Sequence, residues 1–485
     1  MTFIKIVKGD KLKSMQAVID SVKTAINSVI PSSEISGGDL DTLLMSFAIL
    51  GMLLVVGTIL RLYVPFIKKF FLPASLIAGV VGLLLGPSVL GLIPKNIVNC
   101  WSSLSGKLIV LVFAPMLMGK KQASGKKYAR KTFNGICFAY GCSMAQYAIP
   151  LLLTALLFTP LFGTNSLFGI SFESGWCGGH GTAAGMSSVF ESLGWPEGQS
   201  IAVTNATFGL LCGVFGGIVL VNIAARRGWA KYIGGGSSLS IKNTETELYT
   251  DENKATDTKV AVSGKVIDNF AFHAAILSIA IFLGWIISYL LKTYLGISLQ
   301  WFTTSMLAGG LVQLVLNRTK WGDAVDTKVY GRIQGIALEF LVAGAVASLN
   351  LQVIADNIVP IAIATVIIFA FMVVYTLFYA RWIFGKDWFE SGILNYGMCS
   401  GVVATGMLLL KVCDPENKSE ALPLYAIRAP FISLIVGGGI ITTSMPMWVD
   451  QFGILPVAIV ALVAFVILSV LPIVVGTWYK KGKEE

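Results

Sequence analysis

Long uninterrupted apolar runs dominate the chain, in place of the three- and four-residue spacing of soluble amphipathic helices. A membrane-spanning helix needs about 20 mostly apolar residues. Runs of that kind are predicted at residues 43–62, 71–93, 108–118, 133–158 and 201–224, and again at 270–295, 299–316, 333–351, 358–379, 422–443 and 455–479. The third is short, and is expected to be tilted or to extend into its polar flanks. Between the two sets lies a polar stretch, residues 226–268. Ahead of both stands a polar preface, residues 1–41, in which five lysines are offset by Asp10, Asp20, Glu34, Asp39 and Asp41. It lacks the apolar core of a signal peptide.

Two further apolar segments, about 167–193 and 391–412, are broken by glycines. Lipid-exposed backbone cannot be interrupted in this way, so both are predicted to be re-entrant hairpins enclosed by neighbouring helices. Charge placement tests the idea, because lysine and arginine collect in short cytoplasmic loops. With both hairpins entering and leaving on one side, 27 of the 36 basic residues fall inside, and only Lys95, Lys107 and Lys292 fall in outside loops. Full crossings would instead turn Arg226, Arg227 and Lys231 outward. Five crossings and a hairpin per half make an odd number, so the second half runs inverted.

Internal matches support a duplication. Ser75-Leu-Ile-Ala-Gly79 recurs as Ser305-Met-Leu-Ala-Gly309, and Glu173-Ser174-Gly175 leading to Gly185-Met186 recurs as Glu390-Ser391-Gly392 leading to Gly406-Met407. Inverted repeats with paired Gly-interrupted segments point to a secondary transporter with a midplane site. The expected fold is an all-α polytopic membrane protein of two inverted repeats. Each has about five transmembrane helices and a Gly-rich re-entrant hairpin, and an extra C-terminal helix follows. The division is a preface at 1–41, a first repeat at 42–225, a cytoplasmic linker at 226–268, a second repeat at 269–445, and the extra helix with a basic tail at 446–485.

Composition narrows the class. Of 485 residues 55% are hydrophobic and 13% charged, about half the roughly 25% charge of a soluble chain. Cytosolic enzymes, secreted disulfide scaffolds and disordered proteins are excluded. The seven cysteines contain no CxxC pair, which leaves neither a zinc site nor a disulfide framework in view. A net charge of +10 could suggest nucleic acid, but the inside placement of the basic residues explains it as orientation, with no nucleic-acid partner. No GxxxxGK[ST] loop is present, so the chain is not expected to hydrolyse ATP. It also lacks a nucleophile motif and clustered ligands, so it reads as no enzyme and without cofactor, a transported sodium ion aside.

The first hairpin contributes Gly178, Gly179, His180, Gly181 and Thr182 to a candidate solute site. The glycines free backbone amides to turn toward a ligand, and Thr182 can open a half-helix whose positive end attracts an anion. Gly397, Met398, Cys399, Ser400, Gly401, Ala404 and Thr405 of the second hairpin offer the same bends and small hydroxyls. The bland alternative for both is a glycine-rich helix crossing packed against a neighbour. Arg428, inside an apolar run, can pair with a solute carboxylate or with Glu339, or snorkel to the inner surface. Glu173, Glu339 and Glu390 are intramembrane carboxylates and hence candidates for ion coupling, against the alternative of helix-end acids reaching water. Gln146, Asn205 and Thr207 can offer oxygens to a hard cation, or simply join helices. The metal is sodium, with its ligands unassigned.

At Gly178-Gly-His-Gly-Thr-Ala-Ala-Gly185 the chain resembles the bacterial sodium/glutamate symporters. Ala145-Gln146, Ala206-Thr-Phe-Gly-Leu210, and the stretch from Phe371-Met372 through Tyr375 to Gly385-Lys386 are similar to that family too, and the resemblance covers residues 43–445. It implies two inverted halves whose re-entrant loops meet centrally, sodium-driven uptake of glutamate, a homodimer and a place in the bacterial inner membrane. The partners so implied are the lipid bilayer, a small anionic solute and sodium. Departures fall at Met398, where the family usually has histidine, just before Ala404-Thr405, where one residue is missing, and at Glu173, where a small residue usually stands. The preface and the last helix look like additions. A rival is a sodium/proton antiporter, whose broken helices also cross at the midplane; Glu173 and Glu339 would serve it.

Overall fold

The structure is a computed structural model, and residues 36–65, 72–118, 129–232, 267–295, 299–319, 325–414 and 418–479 are described in it. Most of the preface, most of the Lys120 to Lys131 run, most of the linker and the end of the basic tail lie outside those residues. Every regular element among the described residues is helical, the arrangement by which backbone in lipid satisfies its own hydrogen bonds within one segment.

The first set comprises α1 (Gly37–Tyr63), α2 (Ala74–Leu85), α3 (Lys95–Phe113, prolonged by Ala114–Leu117) and α4 (Ala129–Leu153, carried on to Phe162). Three short helices follow, α5 (Ile170–Trp176), α6 (Gly179–Gly185) and α7 (Ser187–Ser192), and then α8 (Gly198–Arg227). The second set is α9 (Asn269–Leu295), α10 (Trp301–Leu316), α11 (Thr327–Ala347), α12 (Leu351–Asp356), α13 (Ile358–Val374, carried on to Ile383) and α14 (Trp388–Cys413). The chain ends with α15 (Ala421–Ile435), α16 (Ile440–Phe452) and α17 (Ile454–Val474). Among the described residues nine helical stretches are long and apolar enough to cross a membrane, counting α15 with α16 as one, and α2 and α10 are shorter apolar helices.

The third span extends into its polar flank, as expected: Lys95 opens α3 and Lys107 lies on its exposed face. Three expectations need correction. Lys292 belongs to the last turn of α9. None of these three lysines therefore lies in a loop. The span expected at 422–443 is broken at Gly437–Gly439 and resumes to Phe452, so the boundary drawn at 445 cuts through α16. Glu339 is not enclosed: it lies on the exposed face of α11 with Arg332 and Ile336, because the buried positions Ile333, Ala337 and Leu341 mark the opposite side of that helix.

Helices α4 and α13 share an irregularity. Each carries a π-helical turn late in its course, at Thr154–Phe158 and Tyr375–Tyr379, shortly before a Gly-rich segment. In α4 the cause is local. Pro150 cannot donate to the preceding turn, and the Thr154 hydroxyl bonds the Pro150 carbonyl at 2.7 Å.

The two Gly-rich segments differ in form. The first is the α5–α6–α7 chain, interrupted at Gly179, whose φ of +70° ends the α5 path. The second is one continuous helical run, yet nine residues of straight helix would separate Gly397 from Gly406 by about 13 Å. A Cβ placed on Gly397 would lie 2.6 Å from the Gly406 Cα, so the run reverses between them. Leu394 and Met398 accordingly share an apolar cluster with Met407 and Leu410.

A single large core joins these parts, with Trp176, Phe138, Phe168, Phe172 and Tyr147 fully enclosed. Helix α17 packs along α4 and α13: Tyr379 donates to the Ser469 carbonyl at 2.7 Å, and Phe371 meets Phe465 at 5.5 Å between ring centres. The final helix is thus part of the core, not an appendage.

Candidate functional site

Helices α4, α5, α6, α8, α14 and the α15–α16 break converge on one buried polar region. Sulfur marks the meeting point. Cys399 at the reversal of α14 has Cys142 of α4 and Cys177, between α5 and α6, as neighbours. Gln146, one turn beyond Cys142, donates to the Cys399 carbonyl at 2.7 Å. Helix α8 seats itself against the same reversal, since a Cβ on Gly209 would lie 2.4 Å from the Ser400 carbonyl oxygen.

Gly178, Gly179, His180, Gly181 and Thr182 lie at the α5–α6 junction. The Thr207 hydroxyl donates to the Val203 carbonyl at 3.2 Å, and its oxygen faces His180 Nε2 at 3.1 Å. The Thr182 hydroxyl reaches the Gly437 carbonyl at 3.2 Å. On the other side of that same glycine, its N–H donates to Glu173 at 3.0 Å. Both half-helices of the first segment therefore grip one residue in the α15–α16 break. Gly437 has φ +66° and Gly438 φ +108°, a left-handed backbone that favours glycine.

Glu173 is fully buried. It accepts from Ser143 at 2.8 Å, from Tyr147, from Thr442 at 3.1 Å and from the Gly437 N–H. Ser143 and Tyr147 stand one turn apart on α4, so they face the same way.

Arg428 is 1% exposed on α15. Its Nη2 donates to Asn395 Oδ1 at 2.8 Å, while Nε and Nη1 have no partner among the described residues. No acid pairs with it among the described residues, and Glu339 lies on the exposed face of α11. Other buried polar atoms without partners are Gln146 Oε1, Asn205 Oδ1, Ser400 Oγ and Trp176 Nε1. Asn205 spends its amide on Ser171 at 2.8 Å, which leaves its oxygen free. Unfilled buried acceptors and donors are costly; these stand on the elements that meet, while others, such as those of Ser46, Ser305, Tyr330 and Thr365, lie elsewhere.

Of the remaining candidates, Gly397, Met398, Gly401 and Thr405 shape the reversal, with Thr405 bonding the Gly401 carbonyl at 2.6 Å. Ala404 lies in this run, and its side chain is outside the described residues. Glu390 sits apart from Glu173, at the base of α14, where it accepts the Lys231 N–H at 2.8 Å. Next to it, Arg381 is sandwiched between Trp229 and Trp388 at 4.5 and 4.6 Å. Among the described residues no group of three histidine, cysteine or acidic side chains is placed to hold a metal ion.

Sequence reading missed Ser143, Tyr147, Asn395, Gly437 and Thr442. A signal existed for the break: three consecutive glycines, Gly437 to Gly439, interrupt an apolar run in the same way as the two segments singled out. The others are ordinary residues in sequence, identified only by what they touch.

The sodium/glutamate symporter family profile matches residues 39–410 of the chain. Arg428 and the α15–α16 break lie beyond that match. No curated protein matches the chain. Among solved structures, a sodium proton antiporter from Methanocaldococcus jannaschii is similar at 15% identity, over 88% of this chain and 99% of that one, with a TM-score of 0.37.

Proposed function

Because the chain belongs to the sodium/glutamate symporter family, a family of multi-pass membrane transporters, we propose that it carries glutamate or a related amino acid or carboxylate into a bacterial cell together with sodium. The observation that carries this reading is Arg428. A buried guanidinium with two unpaired nitrogens, Nε and Nη1, and no acid partner among the described residues is what an anionic solute needs, since charge-assisted bonds from arginine suit a carboxylate. It stands beside Asn395 of the second Gly-rich segment, so solute binding and the position of that segment are coupled.

Gln146 Oε1 and Asn205 Oδ1, both buried and unfilled, are suited to sodium. Amide oxygens are hard ligands that need not lose a proton. Gln146 also holds the Cys399 carbonyl, so an ion there would stiffen the reversal beside Arg428 and strengthen solute binding, and by linkage the solute would strengthen ion binding. The two Gly-rich segments act as re-entrant arms of inverted repeats, a reading supported by the paired π-helical turns before them. The protein works as a homodimer in the inner membrane by alternating access.

Sodium/proton exchange would need a carboxylate free to take a proton or an ion. The Glu173 oxygens are already taken by donors and Glu339 is on an exposed face, which weighs against those two residues and leaves Glu390, whose Oε2 is buried without a partner among the described residues, as the candidate for that mechanism. Uptake of labelled glutamate into proteoliposomes, with and without an inward sodium gradient, decides between the two. Sodium-dependent accumulation is expected. Sodium/proton exchange in the absence of any organic solute would overturn symport.

A further inference from the structure

The Glu173 carboxylate is ringed by hydrogen-bond donors. Three hydroxyls and one backbone N–H converge on its carboxylate, from Ser143 and Tyr147 of α4, from Thr442 near the start of α16, and from Gly437 in the break. Among the described residues no cationic side chain is hydrogen-bonded to it or forms an ion pair with it. Cation sites are lined by acceptors, whereas this one presents hydrogens. The set is shared by two elements that are otherwise independent in the chain, 264 residues apart at the Gly437 contact. Thr442 is itself held by the Gly438 N–H at 3.1 Å, so the donors stay arranged around the break.

We infer that Glu173 is a tethered carboxylate ligand occupying an anion receptor formed by α4 and the α15–α16 break, and that filling this receptor locks the broken helix to the first Gly-rich segment. It is a positioning residue. With its oxygens saturated it is neither a sodium ligand nor a partner for a solute ammonium group, and the transported anion is left to Arg428. The lock acts through Gly437, whose two faces are taken by Glu173 and by Thr182 of the same segment. When the segment moves, the break moves with it.

This inference deepens the transporter reading, and its stability arm stands without it. The variant Glu173→Ala leaves the donors in place and a space the size of a carboxylate. The probe is formate. The purified variant is expected to melt well below the parent protein in potassium chloride and to recover most of that loss in potassium formate of equal strength, with no such gain for the parent. Sodium-driven glutamate uptake by the variant is expected to fall about tenfold or more, the factor a lost buried hydrogen bond carries, and to rise again in formate. Should Glu173→Ala fail to fold, Glu173→Gln serves. It fills the space but turns an amide N–H₂ toward donors, so it is expected to be weakened and insensitive to formate.

Melting of Glu173→Ala indifferent to formate, recovery with ammonium or sodium in its place, or a Glu173→Gln protein equal to the parent in melting and uptake would each overturn the assignment. A parent protein that transports no glutamate while the formate effect on melting persists would refute the transport reading and leave the receptor standing.

Discussion

Gln146 on α4 donates its side-chain amide to the carbonyl of Cys399 at 2.7 Å, which ties a helix of the first half to the reversal in the second Gly-rich segment. The bond is buried, and the Gln146 oxygen on the other side has no partner among the described residues. One side chain thus holds the reversal and offers an acceptor. Gln146→Leu removes both functions at similar volume. Glutamate uptake is expected to fall about tenfold or more, with a rise in the sodium concentration giving half-maximal rate. A changed maximal rate with unchanged sodium dependence would remove Gln146 from ion coupling.

Arg428 gives the sharpest test of the solute site. Arg428→Lys keeps the charge but loses the planar donor set, so the KM for glutamate is expected to rise about tenfold, while Arg428→Ala should lose about a hundredfold or more, also stranding Asn395 Oδ1. Concentration-dependent uptake in proteoliposomes checks both. Parent-like kinetics in Arg428→Ala would show that the arginine only packs.

Gly209 tests the fit of α8 on the reversal. A methyl group there would lie 2.4 Å from the Ser400 carbonyl oxygen, with the Trp176 ring at 2.9 Å on the other side. Overpacking costs about 1–3 kcal/mol, so Gly209→Ala should lower the melting temperature in detergent and uptake together. Melting equal to that of the parent protein would mean that α8 and α14 separate easily.

Glu339→Gln is expected to leave sodium-driven uptake within about twofold, because substitutions away from buried contacts shift free energies by about 0.5 kcal/mol or less. The side chain lies on the exposed face of α11. A tenfold loss would return Glu339 to the transport path.

Deleting the chain from residue 454 onward removes α17. Its contacts reach from Phe465 on Phe371 to Ser469 on Tyr379, and Arg130 donates to the Thr477 and Trp478 carbonyls at 2.9 and 3.0 Å. The truncated protein is expected to aggregate during size-exclusion chromatography in detergent. A monodisperse, active protein would make α17 an accessory.

Much of the span pattern was legible from the apolar runs, because the bilayer sets the length of a crossing helix, although α2 and α10 are shorter than that length. Where the reading failed, it failed on helices that leave the hydrocarbon rule. The broken helix at Gly437–Gly439 looked whole because its flanks are apolar. Glu339 was read as intramembrane, and the structure adds that it lies on the exposed face of a helix long and apolar enough to span. A 3.6-residue period shows that helix faces differ, but in an apolar helix the hydrophobicity of a face no longer says which one is covered.

The sequence by itself determined the membrane environment, the helical class, the two Gly-rich segments and the family, since each depends on local composition or on a contiguous motif. Which polar side chains share one enclosure was decided only by the tertiary structure. Glu173 and Glu390 occupy matching places in sequence, yet one is held by four partners at the α15–α16 break and the other by the Lys231 N–H at the base of α14. The physical reason is that a buried polar group takes its role from the donors and acceptors around it. Here some of those come from residues more than 200 positions away, such as Gly437 for Glu173 and Cys399 for Gln146, and others, Ser143 and Tyr147, from 30 and 26 positions away.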